Sequence, residues 1–255
     1  MRLIAAAMTD RGIVKQSNQD CLCFMQAETA RGPIALAMIC DGMGGLQKGE
    51  VASAAVTRLF AEWFEHELPT QIEAFDWRGV IDQWDRMIRN AAQKLGQYGA
   101  QNGVRLGTTI TAMLFFEYHY LIAHVGDSRV YEISNTIRQM TEDQTLVARE
   151  VKQGLLTAEQ AEHDPRRNVL LQCVGASASV NPAMTTGTFR TNACYLLCSD
   201  GLRHEVTTQE LYSFTAPAVS GSKEEMQHNL SSLISLVKQR EEEDNLSALL
   251  VRIAD

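Results

Sequence analysis

A chain of 255 residues that is 45% hydrophobic and 21% charged is long enough to bury one large core, and is expected to form a single domain over residues 1–255. The formal net charge of -8 excludes nucleic acid as the main partner, because phosphate-backbone binding needs a surplus of Lys and Arg on one face. No stretch approaches the roughly 18 apolar residues of a membrane span. Residues 1–8 lack a long apolar h-region and a cleavage site, so the expected location is the cytoplasm, away from membranes.

In chain order, residues 3–8, 21–25 and 34–40 are short apolar runs punctuated by the turn signals Asp10-Arg11-Gly12 and Arg31-Gly32-Pro33, and they predict three opening strands. Over residues 49–67 apolar side chains recur at helical spacing through Val51, Ala54, Ala55, Leu59, Ala61, Trp63 and Phe64. A second helical pattern covers 78–101 through Ile81, Trp84, Ile88, Ala91, Ala92 and Leu95. Runs at 108–116, 118–124, 129–133 and 137–140, separated by tight turns, predict antiparallel hairpins and not parallel crossovers. Short surface helices over 143–153 and 157–162 lead to an irregular segment beyond Pro165. Strands at 183–189 and 194–199, a helix over 222–240 and a strand over 246–253 complete the reading. Hairpins with helices gathered in pairs place the chain in the α+β class, as a four-layer α/β/β/α sandwich of two antiparallel sheets flanked by helices.

The six cysteines lie mostly in apolar strand-like runs without the C-x-x-C spacing of a zinc site, and read as reduced core residues. Cys21 and Cys23 alternate, so both face the same side of their strand. The six histidines show no metal-ligand spacing and read as ordinary core or surface residues, and the three tryptophans as packing residues of the helices. Glu241 to Glu243 read as a solvated loop after a helix. Gly44-Gly45 lacks the frame of a nucleotide-binding loop.

The chemistry is carried by acidic residues. Asp41-Gly42, Gly126-Asp127 and Asp200-Gly201 each end an apolar run, and Asp20 and Asp244 bring to five the carboxylates at strand-to-loop boundaries. Oxygen ligands suit hard divalent cations such as magnesium or manganese, and an isolated buried carboxylate is too costly to leave uncompensated.

These residues stand in motifs. The stretch from Asp10 to Asp20 with its Gly12-Ile13-Val14 turn, Cys40-Asp41-Gly42-Met43-Gly44-Gly45 followed by Gly49-Glu50, and Gly107-Thr108-Thr109 occur in that order. Val125-Gly126-Asp127-Ser128-Arg129, a flap-like stretch over 139–175, Ser199-Asp200-Gly201-Leu202 and Asp244-Asn245-Leu246-Ser247-Ala248 follow. Ordered so over nearly the whole chain, they resemble the PPM, or type 2C, metal-dependent serine/threonine protein phosphatases of bacterial type. The resemblance implies two antiparallel sheets packed face to face and a binuclear site at one end. Asp41 would bridge two Mn2+ or Mg2+ ions, Asp200 and Asp244 would complete one of them, and the Gly42 carbonyl would bind the other. Asp20 would hold metal-bound water, Asp127 with Asp200 would form a third-metal site, and Lys15 would contact the substrate phosphate. Two cations roughly 3.5–4 Å apart give an attacking hydroxide near neutral pH without a covalent protein intermediate.

Several positions depart from the family pattern. Lys15 stands for the usual Arg and offers one compact charge in place of a bidentate fork. Gln19 stands for Glu, Met43 for the His assigned as general acid in animal members, Asp164 for a His, and Leu171-Gln172 for a Thr-Arg pair. The implied function is hydrolysis of phosphoserine and phosphothreonine in proteins, in signalling opposite a cytoplasmic serine/threonine kinase, by a monomer. Two rivals stay open: a binding module that has lost the chemistry, and a phosphatase for a dedicated regulator or for small phosphoesters.

Overall fold

The computed structural model describes residues 2–43 and 48–254; Gly44 and Gly45 of the second motif lie outside the described residues. Strands β1 (Arg2–Asp10), β2 (Asp20–Thr29) and β3 (Gly32–Asp41) open the chain, and helix α1 (Gly49–Glu62) follows. The helical stretch expected over 49–67 continues from α1 through a π-helical turn (Trp63–Glu67) into α2 (Leu68–Gln71), before the long α3 (Trp77–Asn102). Strands β4 (Ile110–Phe116), β5 (His119–Val125), β6 (Arg129–Ile133) and β7 (Ile137–Gln139) precede the short helices α4 (Leu146–Lys152) and α5 (Ala158–Glu162). Strands β8 (Ala183–Thr188) and β9 (Ala193–Cys198) are followed by α6 (Asp200–His204), α7 (Thr208–Thr215), α8 (Lys223–Gln239) and β10 (Leu246–Ala254).

One sheet runs β1-β10-β9-β6-β7 and the other β2-β3-β4-β5-β8. All the pairings are antiparallel, as the hairpin pattern predicts. The sheets meet through Ala35, Ala37, Ile39, Phe115, Tyr195, Leu197, Leu249 and Val251. The alternate residues of β3, Ile34, Leu36, Met38 and Cys40, point the other way, toward α1 and α3. Burial on both faces is why β3 reads as an unbroken apolar run and not as an alternating one. On the far side α7 and α8 cover the β1-β10-β9-β6-β7 sheet through Leu211, Met226, Leu230, Leu233 and Val237.

Local chemistry fixes the helices. Asp76 caps α3 by accepting from the backbone N–H groups of Arg78 and Gly79, and Gly103 ends it in the left-handed conformation. Ser222 and Glu225 form a reciprocal capping box at the start of α8. Trp84 of α3 is fully buried, edge-on to Phe60 and Trp63 at 5.0 and 5.4 Å between ring centres. Truncating it to Ala would leave a cavity costing about 3–5 kcal/mol. All six cysteines are free thiols, and Cys21 and Cys23 both pack against the α1–α3 layer, on one face of β2.

Antiparallel pairing decides where the acidic residues meet. The start of β2 opposes the end of β3, the start of β4 opposes the end of β5, and the start of β10 opposes the end of β9. Asp20 begins β2, Asp41 ends β3, Asp127 follows β5, Asp200 follows β9 and Asp244 precedes β10. All five therefore gather at the same end of the stacked sheets.

Candidate metal centre

Asp20 and Asp41 face each other across the β2–β3 ladder. The backbone of Asp41 is fixed by the Thr108-Thr109 pair: its N–H donates to Thr109 Oγ1 at 3.0 Å, and its carbonyl accepts from Thr109 N–H at 2.8 Å and Thr108 Oγ1 at 2.9 Å. That is the structural work of the Gly107-Thr108-Thr109 motif.

Gly42 is packed too closely for a side chain. A Cβ there would lie 2.5 Å from the Gln19 carbonyl and 2.6 Å from the Gly49 backbone. The absent side chain lets the entry of β2 and the start of α1 close against the end of β3. Gly201 does the same between sheet elements: a Cβ would lie 2.4 Å from the Asn245 carbonyl and 3.1 Å from Asp244 Cβ, so its absence brings Asp200 beside Asp244.

Asn245 ties the first motif to this edge. Its Oδ1 accepts Gln19 N–H at 2.8 Å, while its Nδ2 donates to the carbonyls of Arg11 at 2.9 Å and Ser17 at 3.1 Å. The loop so held carries Lys15, whose Nζ stands 2.8 Å from Asp244 Oδ1. Partial burial would lower the lysine pKa, but the bond to Asp244 and the charges of Asp200 and Asp41 outweigh it and hold it above the ordinary value. The ammonium thus pairs with one of the three residues expected to ligate metal and feels the charge of the other two.

The electrostatics are those of crowded carboxylates. Burial, with Asp20, Asp200, Asp127 and Asp244 nearby, pushes Asp41 well above the usual carboxylate range. Burial and the charge of Asp200 raise Asp127 to about 8. Asp20 is raised to about 7, mainly by burial. Both of its carboxylate oxygens are out of solvent without a hydrogen-bond partner, although the Ser247 and Ser199 hydroxyls lie near enough to oppose the rise. Asp200 goes the other way: burial would raise it, but His204, Arg203, a proton shared from Asp41 and the Gly201 N–H hold it below its ordinary value.

Among the described residues, no three His, Cys, Asp or Glu side chains close into a finished cage for an ion. The donor set nevertheless fits hard cations. It is all oxygen, it includes two orphaned buried carboxylate oxygens, and one of its members, Asp244, already pairs with a positive charge, that of Lys15.

Four residues of this edge were not among the expected site residues. Arg203 and His204, one helical turn after Asp200 on α6, turn back toward it, with His204 Nε2 3.9 Å from Asp200 Oδ2. On the other side of His204, Nδ1 lies 3.5 Å from Glu242 Oε2. Glu242 is only 8% exposed, and its Oε1 accepts the N–H groups of Glu243 and Asp244 at 3.0 Å each. The expectation of a solvated loop over Glu241 to Glu243 is therefore wrong at Glu242, which shapes the turn that presents Asp244. Asp143 receives the Arg129 fork at 2.8 and 2.7 Å. The flap-like stretch is stitched at its base by Leu171 N–H to the Gln144 carbonyl and Leu146 N–H to the Val169 carbonyl, both 2.8 Å. In it Gln172 joins Gln144 to Asn181, and Asp164 pairs with Arg166 at 2.7 Å.

Residues 11–235 match the family model for protein phosphatase 2C. The chain belongs to the protein phosphatase 2C family. It is 33% identical over 247 residues to the serine/threonine phosphatase Stp of Listeria welshimeri, a match that covers 95% of this chain and 93% of that one. The serine/threonine phosphatase of S. agalactiae superposes with a TM-score of 0.85 at 26% identity, over 99% of this chain and 100% of that one. The catalytic domain of the serine/threonine protein phosphatase PstP, in complex with two manganese ions, superposes with a TM-score of 0.80 at 27% identity, over 99% of each chain. As a member of the protein phosphatase 2C family the chain is a metal-dependent serine/threonine protein phosphatase. No described helix is long and apolar enough to cross a membrane.

Proposed function

We propose that the acidic edge holds two Mn2+ or Mg2+ ions through Asp41, Asp200, Asp244 and the Gly42 carbonyl, and that it hydrolyses phosphoserine and phosphothreonine in proteins. The observation that carries this reading is the convergence at one end of the sheets of Asp41, which faces Asp20 across the β2–β3 ladder, with Asp200 and Asp244, which Gly201 lets close together, beside the Lys15–Asp244 ion pair. When bound, a divalent pair supplies an activated water and neutralises charge on the phosphoryl oxygens.

The protein residues do the rest. Asp41, its backbone held by Thr108 and Thr109, presents its carboxylate at the end of β3. Asp20, paired with Asp41 across the β2–β3 ladder and with both carboxylate oxygens out of solvent, would accept from a water and orient it. Lys15 is one-third exposed at the mouth and presents its charge to an incoming phosphate. Met43 has no proton to give, so the leaving Ser or Thr oxygen takes its proton from solvent.

Phosphoproteins made by a cytoplasmic serine/threonine kinase are the proposed substrates. The proposed setting is cytoplasmic signalling by a monomer with residues 1–255 as one catalytic domain. The test compares wild type with Asp244→Asn for manganese-dependent phosphate release from p-nitrophenyl phosphate and a phosphothreonine peptide. Turnover abolished by the substitution supports the enzyme; no turnover in either protein, with metal bound to both, would favour the binding module.

A further inference from the structure

Asp127 does not face open space. Arg203, at the last turn of α6, has Nη2 3.8 Å from Asp127 Oδ2 and 3.4 Å from Asp143 Oδ2, and donates to the Asp127 main-chain carbonyl at 3.3 Å. The Arg203 and Asp127 side chains are only 13% and 5% exposed. The guanidinium is thus wedged between two acidic residues from one side of the centre, with Asp200 of its own helix near enough to feel its charge. Its Nε is buried without a partner, so the side chain is held there by charge in preference to a full set of hydrogen bonds. Asp143 has its own fork from Arg129 and does not need Arg203 for neutrality.

We propose that Arg203 is a fixed substitute for a third metal ion at Asp127, so that this chain binds two divalent cations and Asp127 is not a metal ligand. The inference rests on the two-cation reading above. A guanidinium cannot be deprotonated in a protein, so its positive charge beside Asp127 is permanent. A divalent ion at the same carboxylate would stand a few ångströms from that charge in a water-poor setting, where repulsion is strong. It would also have to keep several of its own waters in a space the arginine already fills. The residue arises from the sequence after the third Asp-Gly motif: three positions beyond Asp200 on a helix is the same face, turned toward the end of β5.

The experiment counts bound Mn2+ by equilibrium dialysis and by the loss of the free-ion electron paramagnetic resonance signal, in wild type, Arg203→Ala, Asp127→Asn and the double variant. Two ions are expected in wild type and in Asp127→Asn, three in Arg203→Ala, and two again in the double variant. A wild type that binds three ions, an Asp127→Asn that binds fewer than wild type, or a folded Arg203→Ala that still binds two would each overturn the proposal. If Arg203→Ala loses its far-ultraviolet circular dichroism, the pair of wild type and Asp127→Asn decides alone. Failure of the underlying two-cation reading shows elsewhere: Asp244→Asn would then bind as many ions as wild type.

Discussion

Lys15 and Asp244, one expected to grip phosphate and the other metal, form an ion pair at 2.8 Å. The charge proposed to bind substrate and the charge proposed to bind metal are therefore coupled at this edge. Occupation of one alters the other.

Asp244→Asn removes a carboxylate from the centre and the counter-charge of Lys15 together. Phosphate release from a phosphothreonine peptide in Mn2+ is expected to fall by about a hundredfold or more, and titration calorimetry should show weaker binding of the metal. Undiminished turnover would remove Asp244 from the site.

Lys15→Arg exchanges a point charge for a bidentate fork. The expected result is a KM for phosphopeptide lower by about threefold to tenfold, the net worth of one further hydrogen bond at a part-exposed site. An unchanged or higher KM would show that Lys15 serves Asp244 and not the substrate.

Gly12 adopts φ +76°, and a Cβ there would lie 2.2 Å from the Asp244 carbonyl oxygen. Gly12→Ala is expected to lose about 2 kcal/mol of stability in urea from the left-handed backbone and the overlap combined, and to weaken Mn2+ binding because Asp244 must shift. Stability and affinity equal to wild type would contradict this close approach.

His124, three residues before Asp127, offers a pH dependence of its own. Burial pushes it down to about 4; Nε2–H donates to the Glu142 carbonyl at 3.1 Å and Nδ1 lies 2.9 Å from Thr111 Oγ1, which is the pattern of a neutral ring. The folded protein therefore resists the proton that the unfolded chain accepts below its ordinary value. The stabilisation is complete above about pH 6.5 and is lost as pH falls toward 4, amounting to about 2 kcal/mol between pH 7 and 5. Urea unfolding of wild type should show this loss and His124→Gln should lack it; equal slopes in both would assign the acid sensitivity to other groups.

The strand-end carboxylates were legible because turn chemistry and hydrophobic runs both mark strand boundaries, and antiparallel pairing brings alternate boundaries to one edge. The layered α+β architecture followed from the same hairpins. Arg203 and His204 were not legible, because nothing in Ser199-Asp200-Gly201-Leu202 reveals that a one-turn helix begins on Asp200 and returns the next residues toward it. Glu242 was hidden inside an acidic run whose composition signals solvent, whereas a single member of it is turned inward onto backbone N–H groups. Helix α7 was missed for a related reason: its capping box of Thr207 and Glu210 is clear, but only Leu211 and Thr215 of its eight residues are buried, too few to give a period. The role of Gly42 also lay beyond the sequence, since it depends on which backbones approach it.

Asp20 and Asp41 come from one sheet, Asp200 and Asp244 flank strands of the other, and Asp127 sits in the turn that crosses between them. A folding intermediate that has completed either sheet alone carries at most part of the reactive centre and is catalytically silent. Hydrolytic competence thus serves as its own assembly checkpoint, and recovery of activity during refolding should trail the formation of β structure and coincide with the docking of the two halves.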